Sequence, residues 1–456
     1  MNSYTCSKCG FTTDKPLLRC PYCGSILHYS HGFEWSIDWS RQGIYRFHRM
    51  LPSIGFENSL GEGFTPLVES FRVSRDIGVK KLYFKNEGCN PTGSFRDRVA
   101  ALLTSHAHVS GYKKLVCATD GNLGASLSAY SSRLGLEVEA YVPRGCDWGK
   151  IVLMKSFGAS IIEHGECLDD VYSLVYKKAV EENLYNATSE ANALSIEALK
   201  TIALEIYYQL GGIPDHVFIP VGSGLTLYSI HHGFRELLEN HVVDRIPCIH
   251  GVETCWNPRI SRLMGYSVKE CIMEAIIGLA YHYPPLEKEA VDVIRETNAS
   301  IWVVGKKEVY RAGEELARRE GLFVEPAAAV AYAGYRKAVE EGSIDPSDTV
   351  VVLLTGHGLK AFEGYGVKLK TRRRASVFPS ETKLEILRVI SSREPIHGYR
   401  IWRELGLDIS MQAVYQHLKS LEKTGLITSR VIDNRRYYFL TDKGRMVLEL
   451  LNHLLK

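Results

Sequence analysis

The sequence predicts an α/β protein whose body contains a parallel sheet, with a small metal-binding module before it and a helical module with a β-hairpin after it. Three observations support this fold class. Two Cys-x-x-Cys pairs lie within the first 23 residues. Between residues 60 and 365, short runs of Val, Ile and Leu precede glycine turns and helical repeats. From residue 381 onward, three amphipathic helical segments are followed by two strand-like segments.

Length and composition set the broad class of the protein. A chain of 456 residues is expected to form two or three domains, and 45% hydrophobic residues are enough for a sizeable core. No apolar run reaches 18 residues, which predicts no membrane span. The N-terminus has neither the charged start nor the apolar stretch of a signal peptide. We therefore expect a cytoplasmic protein whose 11 cysteines stay reduced.

The net charge of +3 is distributed unevenly along the chain. Residues 366–456 contain 18 Lys and Arg against 9 Asp and Glu, a net charge of +9, and the rest of the chain carries −6. A basic C-terminal part on an acidic body suggests a nucleic-acid partner for the C-terminal part alone. The alternative is a solvated basic face that binds nothing.

The N-terminal module contains four candidate metal ligands, Cys6, Cys9, Cys20 and Cys23. Each pair is followed by glycine, in CSKCG and CPYCG, which allows a tight turn after the second ligand. Four thiolates at this spacing are typical of a closed, structural zinc site. A redox pair or free thiols are the alternatives. The apolar content of this module is too low for it to fold without metal.

The body repeats the order strand, glycine turn, helix. The pattern is clearest in KLVCATDGNLGASLSAYSSRLG and HVFIPVGSGLTLYSIHHGFRELL, and TVVVLLTGHGLK adds a further buried strand that ends in a glycine turn. Apolar strands alternating with helices of this length predict a parallel sheet covered by helices. Ligands of such sheets bind at the carboxyl ends of the strands, where these glycine turns fall.

Six segments of the body, in this order, resemble the threonine synthase branch of the tryptophan synthase β-type, fold type II pyridoxal-phosphate enzymes. They are SLGEGFTPL (59–67), FKNEGCNPTGSFRDR (84–98), TDGNLGAS (119–126), PVGSG (220–224), FVEPAAA (323–329) and LTGHGLK (354–360). The zinc knuckles are similar to those of some members of that family. The resemblance implies a body of two α/β subdomains.

The resemblance also implies roles for individual residues. Gly222, Ser223 and Gly224 match the turn that offers backbone N–H groups and a helix N-terminus to a phosphate. Asn122 matches the asparagine that hydrogen-bonds the ring hydroxyl of the cofactor, and Thr355 matches the hydroxyl that faces the pyridine nitrogen. The alternatives are that the glycines only form turns and that Asn122 caps a helix.

The sequence departs from the family pattern at the lysine that forms the Schiff base, because this position holds Arg96. A guanidinium stays charged and is not a nucleophile, so Arg96 cannot form that bond or move protons as the lysine does. Pyridoxal phosphate could then bind only non-covalently. Lys85 and Lys360 lie in the matching segments, but neither is an evident substitute. A second departure, Leu225, is expected to narrow or reshape the phosphate cup.

Arg96 has two interpretations. Its planar fork suits bidentate binding of the phosphate of a phosphorylated amino-acid precursor or of the carboxylate of an amino acid. Alternatively, Arg96 fills the space of the lysine and pairs with Asp97 or another acid.

The C-terminal segment predicts three helices and a hairpin, which is the winged-helix order. Ser410 is placed to cap the third helix. The apolar stripe of that helix is predicted to consist of Met411, Val414, Tyr415, Leu418 and Leu421. The second helix is expected to end at Gly406, and Asp433 with Asn434 to form the turn between the two strands.

The segments HGYRIWREL, VYQHLKSLEKTGLI and RRYYFLTDKG resemble PadR-like winged-helix regulators. In that family the third helix enters the major groove and the wing meets the phosphates. The resemblance implies duplex DNA as a partner and a homodimer that reads two half-sites. It assigns to the third helix Gln412, Gln416, His417 and Lys419, and to the wing Arg430, Arg435 and Arg436. The alternative is a winged helix used only for protein contacts or dimerisation.

These observations predict a zinc ribbon over residues 1–32, an enzyme-like body over 33–367, a basic linker over 368–380 and a winged-helix domain over 381–456. Two hypotheses follow. The first is a DNA-binding transcription regulator without enzyme activity that senses an amino acid, a phosphorylated precursor or pyridoxal phosphate. The second is a threonine synthase or related lyase that also binds DNA, which would require a substitute for the missing amine.

Overall fold

The computed structural model describes residues 3–268, 271, 275–361, 381–405, 409–433 and 435–454. The chain forms two compact units, Met1–Val367 and Lys368–Lys456. The basic linker expected at 368–380, the helix end expected at Gly406 and the turn residue Asn434 lie outside the described residues. Among the described helices, none combines the length and the apolar character needed to cross a membrane.

The N-terminal module is a three-stranded antiparallel sheet in the order β2-β1-β3. Its strands are β1 (Tyr4–Cys6), β2 (Thr12–Thr13) and β3 (Leu27–Tyr29). Gly10 and Gly24 adopt φ values of 73° and 72°, a conformation that favours glycine. The N–H of Gly10 donates to the carbonyl of Cys6, and the N–H of Gly24 donates to the carbonyl of Cys20, both at 2.9 Å. The predicted tight turn after each second cysteine is confirmed.

The larger sheet of the body has six strands in the order β12-β11-β10-β13-β5-β4. All neighbours are parallel except β4 and β5, which are antiparallel. The strands are β4 (Leu67–Glu69), β5 (Lys81–Asn86), β10 (His216–Pro220), β11 (Cys248–Thr254), β12 (Ile301–Val304) and β13 (Thr349–Leu354). This sheet places the ends of β10 and β13 side by side.

The smaller sheet of the body has four parallel strands in the order β8-β7-β6-β9. These strands are β6 (Lys114–Ala118), β7 (Glu137–Val142), β8 (Ser160–Glu163) and β9 (Tyr185–Asn186). The two sheets confirm the prediction of a parallel α/β fold.

Helices connect the strands of both sheets. They are α1 (Arg72–Ile77), α2 (Arg96–Val109), α3 (Asn122–Ser132), α4 (Trp148–Ser156), α5 (Leu168–Glu181), α6 (Leu194–Leu210), α7 (Leu225–Glu239), α8 (Arg259–Leu263), α9 (Glu287–Glu296), α10 (Lys306–Glu315) and α11 (Pro326–Glu340). Short 3-10 helices cover Gly43–Met50, Glu87–Cys89, Ser189–Ala191 and Gly358–Lys360, and a π turn covers Leu316–Glu320. The predicted strand–turn–helix units correspond to β6–α3 and β10–α7.

One expectation about the cysteines is wrong. Cys255 and Cys271 form a disulfide, with their Cα atoms 5.7 Å apart, whereas all the cysteines outside the two pairs were expected to be reduced. The two residues are 16 apart in sequence and have no pair spacing.

The C-terminal unit contains α12 (Glu381–Arg393), β14 (Ile396–His397), α13 (Gly398–Leu405), α14 (Met411–Lys423), β15 (Ile427–Ile432), β16 (Arg435–Leu440) and α15 (Asp442–Leu454). The predicted three helices and hairpin are confirmed. The sequence analysis missed β14, which pairs with β16, and α15 after the wing. The hydroxyl of Ser410 accepts the N–H of Ala413 at 3.3 Å, which confirms the predicted cap.

Candidate functional sites

All six residues predicted to bind a ligand line one cavity at the carboxyl ends of the strands of the larger sheet. Gly222, Ser223 and Gly224 follow β10, Thr355 follows β13, Arg96 begins α2 and Asn122 begins α3. Asp120, Glu325, Gly278 and Leu279 also contribute to the wall. The space enclosed between them is about 30 Å³, room for roughly two water molecules.

The glycine turn is shaped for close approach of the backbone. Gly224 has a φ of 88° and caps the first turn of α7. A Cβ on Gly224 would lie 2.6 Å from the carbonyl oxygen of Leu286, and one on Gly222 would lie 2.9 Å from the Cα of Leu279. The N–H of Leu286 donates to the carbonyl of Ser223 at 2.9 Å. The chain around residues 278–286 therefore covers this turn.

The expected effect of Leu225 on this turn is wrong. The side chain is fully buried and belongs to the main hydrophobic core of the body, and it does not line the cavity. As the first residue of α7, Leu225 packs into the core of the body.

Arg96 is held by an acid, but not by the neighbour suggested by the sequence. Its Nη2 donates to Oε1 of Glu190 at 3.2 Å, and the two side chains are 13% and 3% exposed. Burial opposes the charge of Arg96, but Glu190, Tyr281 and Asp120 together outweigh burial and raise the pKa of the guanidinium. Asp97 instead accepts the backbone N–H and the hydroxyl of Thr92, at 2.7 and 2.6 Å. The Nη1 atom of Arg96 is buried without a hydrogen-bond partner among the described residues.

Glu190 is the residue of this site that the sequence analysis missed. Besides Arg96, its carboxylate accepts the hydroxyls of Ser223 at 3.0 Å, Tyr172 at 3.1 Å and Tyr281 at 3.3 Å. The segment around it, TSEANA, contains no recognisable motif, so the sequence offered no signal for this role. A buried carboxylate therefore lies directly behind the only hydroxyl of the glycine turn.

Asn122 does not cap a helix. It is the first residue of α3, and the hydroxyl of Thr119 instead accepts the N–H of Gly124 in the first turn, at 3.0 Å. Its Nδ2 donates to both carboxylate oxygens of Glu325, at 2.9 and 3.0 Å. Its Oδ1 is buried and has no hydrogen-bond partner among the described residues. The cavity thus contains one buried donor group and one buried acceptor group without partners.

The four predicted metal ligands come together. The sulfur atoms of Cys6, Cys9, Cys20 and Cys23 all lie within 4.8 Å of one another. The Sγ atoms of Cys6 and Cys23 are 3.4 Å apart, and those of Cys9 and Cys20 are 3.5 Å apart. Four thiolates around a tetrahedral zinc, with Zn–S bonds of about 2.3 Å, are separated by similar distances. The arrangement fits a structural zinc ion.

A second group of potential metal ligands, His31, Glu197 and Glu236, is occupied by a lysine. The Nζ of Lys200 lies 2.6 Å from Glu197, 2.7 Å from Glu236 and 3.0 Å from the ring nitrogen of His31. The ammonium fills the position of a cation, so this cluster is a buried ion-pair network that joins the zinc-ribbon segment to α6 and α7.

The residues predicted to contact DNA lie on two surfaces of the C-terminal unit. On α14, Gln412, Gln416 and Lys419 are exposed and His417 is partly exposed. Burial, with Lys383 nearby, lowers the pKa of His417, so it offers hydrogen bonds rather than charge at neutral pH. On the wing, Arg430, Arg435 and Arg436 are exposed.

The predicted apolar stripe of α14 is only partly correct. Val414, Leu418 and Leu421 are buried, but Met411 and Tyr415 are 45% and 42% exposed. Tyr415 packs against Gly398 at the start of α13, where a Cβ would lie 2.7 Å from its ring.

Tyr415 also lines a groove with Arg435 and Arg436. The sequence analysis missed two further arginines of this groove, Arg400 and Arg403, because they lie on the second helix rather than on the wing. Four guanidinium groups around one groove suit contact with an anionic backbone.

Comparisons with known proteins match both halves of the chain. Residues 58–356 match the family described as pyridoxal-phosphate dependent enzyme, and residues 386–450 match the transcriptional regulator PadR-like family. The chain belongs to the pyridoxal-phosphate dependent enzyme family. It consists of a threonine synthase-like body of fold type II followed by a PadR-like domain.

Several curated relatives of this body are threonine synthases. The threonine synthase of Methanocaldococcus jannaschii is 35% identical over 378 residues, which cover 78% of this chain and 92% of that protein. The threonine synthase of Bacillus sp. strain ULM1 is 37% identical over 304 residues, which cover 66% and 84%.

Solved structures agree on the fold. A lysine-to-alanine mutant of O-ureido-L-serine synthase superposes with a TM-score of 0.56 at 20% identity, over 69% of this chain and 94% of that one. Threonine deaminase isoform 2 from Solanum lycopersicum gives a TM-score of 0.54 at 21% identity, over 67% and 87%.

Pyridoxal phosphate, the cofactor of this family, does not fit the cavity as it stands. Arg96 occupies the position of the Schiff-base lysine. The carboxylate of Glu190 lies 3.0 Å from the hydroxyl of Ser223, where it repels a phosphate held by the same turn. The fold of the family is retained, but its cofactor site has changed.

Three buried lysines of the body are candidates to replace the missing Schiff-base amine. Lys85 donates to the Thr65 carbonyl, Glu205 and Gln209 within 2.8 Å and belongs to a structural ion-pair network. Lys150 lies 2.9 Å from Asp147. Burial opposes its charge, but Glu325 and Asp147 outweigh burial and raise its pKa, which keeps it protonated.

Lys360 differs from the other two lysines. Its Nζ is buried without a hydrogen-bond partner among the described residues, and burial lowers its pKa to about 8. Of the three amines, it alone has no hydrogen-bond partner among the described residues. It lines a different cavity, beside Gly93 and His357, and does not line the cavity of Arg96.

Proposed function

We propose that this protein is a DNA-binding transcription regulator in which a catalytically inactive threonine synthase-like body senses a small amino-acid-like ligand. The observation that carries the proposal is the buried ion pair of Arg96 and Glu190, at the position where the family needs a lysine amine. A guanidinium paired in this way neither attacks an aldehyde nor shuttles protons. The body keeps a ligand cavity but lacks the group that performs the chemistry.

The C-terminal unit supports the DNA-binding half of the proposal. The exposed polar side chains of α14 suit a recognition helix in the major groove. The arginines of the wing and of the adjacent groove suit phosphate contacts. Two half-sites about one helical turn, ~34 Å, apart would require a dimer, which is part of the proposal.

The proposal is tested by DNA binding of the full-length protein in a mobility-shift experiment. The duplexes are the upstream region of its own gene and a random sequence of equal length, each at low and physiological salt. We expect binding to both at low salt and preference for the upstream region at physiological salt, because phosphate contacts are non-specific and screened by salt. No binding to either duplex at low salt would overturn the regulator proposal.

A second candidate function rests on Lys360. A buried amine with a pKa of about 8 is partly deprotonated near neutral pH and can attack an aldehyde. The body would then be an enzyme with a relocated amine. The test is borohydride reduction of the full-length protein with pyridoxal phosphate, followed by mass spectrometry of the peptides. Stoichiometric labelling of Lys360 that Lys360→Met abolishes would favour this function, and unlabelled Lys360 would exclude it.

A further inference from the structure

The cavity of Arg96 contains a pattern of unpaired polar atoms that selects its ligand. This inference rests on the proposed function, since it names the ligand class of the same site. The Nη1 of Arg96 is a buried donor without a partner, and the Oδ1 of Asn122 is a buried acceptor without a partner. Buried polar atoms are nearly always paired, so both are expected to be satisfied by a bound molecule.

A free α-amino acid carries both missing partners, a carboxylate and an ammonium group, on its α-carbon. Its carboxylate accepts from a guanidinium, and its ammonium donates to an amide oxygen. The carboxylates of Asp120 and Glu325 also line this cavity and favour a positively charged group there. The enclosed space of about 30 Å³ suits two such small groups in place of two waters.

The side chain of the amino acid has a separate place. Asp120 and Gly278 line both this cavity and a larger one of about 490 Å³. The larger cavity is bounded by groups of mixed polarity, including Cys146, Trp256 and His282. A ligand with its ammonium and carboxylate in the small cavity can extend its side chain into the larger one.

Glu190 determines what the glycine turn accepts. Its carboxylate already accepts the hydrogen bond of the Ser223 hydroxyl and that of one arm of Arg96, two side-chain donors that could otherwise bind an anion at this end. A phosphate bound at the turn would replace those hydrogen bonds and face a buried carboxylate of the same charge. Like charges brought together in a buried site strongly oppose binding.

We infer that the site binds a phosphate-free α-amino acid, with its carboxylate on Arg96 and its ammonium on Asn122, and that Glu190 excludes phosphate-bearing ligands. The carboxylate of Glu190 is a fixed negative charge beside a turn that would otherwise favour phosphate, and its presence makes phosphate binding unfavourable there.

The test uses pairs of ligands that differ only in a phosphate group. Isothermal titration calorimetry of the full-length protein, without DNA, compares L-homoserine with O-phospho-L-homoserine, L-threonine with O-phospho-L-threonine and L-serine with O-phospho-L-serine. We expect at least one free amino acid to bind, and its phosphate ester to bind at least about tenfold more weakly. An ester that binds as tightly as its parent, or no binding by any of the six, would overturn the inference.

Two variants assign the selectivity to Glu190. Glu190→Gln removes the charge and keeps the shape, so the penalty on the ester should shrink by about tenfold and inorganic phosphate should bind measurably. Glu181→Gln is the matched control, because that glutamate is exposed and pairs only with Lys177 on α5. Equal discrimination in the wild type and in a folded Glu190→Gln variant would contradict the role of Glu190.

The outcomes separate the inference from the proposed function. The calorimetry contains no DNA, so ligand selectivity can hold even if the winged helix binds nothing. Conversely, a protein that binds its upstream duplex but no amino acid retains the DNA half of the proposal and loses the ligand assignment. The wild-type comparison of ester and parent requires no variant, so a poorly folded Glu190→Gln protein does not prevent a decision.

Discussion

At the scale of single residues, the proposed function rests on two side chains, Arg96 and Glu190. Arg96 keeps a positive charge at the site but offers no nucleophilic amine. Glu190 balances that charge and takes the hydroxyl of the glycine turn. The sequence alone identified Arg96 because a motif frames it. Glu190 lies 94 residues away in an unremarkable segment, and only the fold brings the two side chains together.

The loss of the amine predicts that the native chain has no threonine synthase activity. Full-length protein incubated with O-phosphohomoserine and added pyridoxal phosphate should release no more inorganic phosphate than buffer does. The reason is that the Arg96 guanidinium remains protonated at all accessible pH values and is not a nucleophile. Phosphate release in the ordinary enzyme range of about 1 to 1,000 per second would contradict the assignment of Arg96.

Lys360 predicts a specific pH dependence of stability. Its pKa is about 8 in the folded protein, below the ordinary value of 10.5. Below pH 8 both the folded and the unfolded chain bind the proton, and the buried charge destabilises the fold. Between pH 8 and 10.5 only the unfolded chain binds it, so the stability contributed by this site rises with pH, by about 3 kcal/mol at most.

The measurement is urea unfolding of the wild type and of Lys360→Met at pH 7 and pH 10. The variant isolates Lys360 because other groups titrate equally in both proteins. We expect the free energy of unfolding of the wild type to increase relative to that of the variant as the pH rises. An unchanged difference between the two proteins would show that Lys360 has an ordinary pKa.

At the scale of secondary-structure elements, periodicity and glycine turns predicted most of the body. The units β6–α3 and β10–α7 follow directly from apolar runs, a glycine turn and a helical repeat. Errors arose where the tertiary environment decides the outcome. Leu225, the first residue of α7, is buried in the core. Tyr415 remains partly exposed although its ring packs on Gly398. Cys255 and Cys271 form a disulfide although they are 16 residues apart in the sequence, a separation that does not predict the bond.

The zinc ribbon also supports the ligand site, since its chain pairs with the segment that carries Glu190. The N–H of Leu18 donates to the carbonyl of Ala191 at 3.1 Å, and the N–H of Ala193 donates to the carbonyl of Pro16 at 2.9 Å. These hydrogen bonds flank Glu190 on its C-terminal side. The position of the Glu190 carboxylate therefore depends on a folded ribbon.

This connection predicts an effect of metal removal. Freshly purified protein should contain about one zinc per chain, and Cys20→Ser should lose it. Loss of zinc should lower the melting temperature of the body by at least about 2 °C, since a stabilisation of 1 kcal/mol corresponds to that shift in a large domain. Metal analysis that finds much less than one zinc per chain in fresh protein would contradict the structural zinc site.

The winged helix predicts two separable kinds of DNA contact. Arg435→Ala with Arg436→Ala should weaken binding to every duplex and reduce the salt slope by up to about two contacts, because each arginine displaces counterions. Gln412→Ala or Gln416→Ala should instead relax the preference at particular base pairs. Mobility shifts over a salt series distinguish the two. Arginine variants with an unchanged salt slope would remove the wing from the interface.

At the scale of the whole molecule, the chain combines a threonine synthase-like body and a PadR-like domain, which we propose act as ligand sensor and DNA-binding domain. Such a combination is useful only if the ligand changes the affinity for DNA. Coupling between two sites typically changes an affinity by about 5- to 150-fold, and it is reciprocal, so DNA should change the affinity for the ligand equally. The resemblance of both halves to known families was evident from the sequence, whereas the coupling follows from neither half alone.

The coupling is tested most directly by the DNA affinity of the full-length protein with and without ligand. The dissociation constant for the upstream duplex is measured in the absence and presence of each free amino acid that binds in calorimetry, for the wild type and for Arg96→Ala. We predict a change of at least about fivefold in the wild type and none in Arg96→Ala, because the variant loses the group that holds the ligand. A wild-type affinity that no ligand changes would contradict the account of this protein as a sensor.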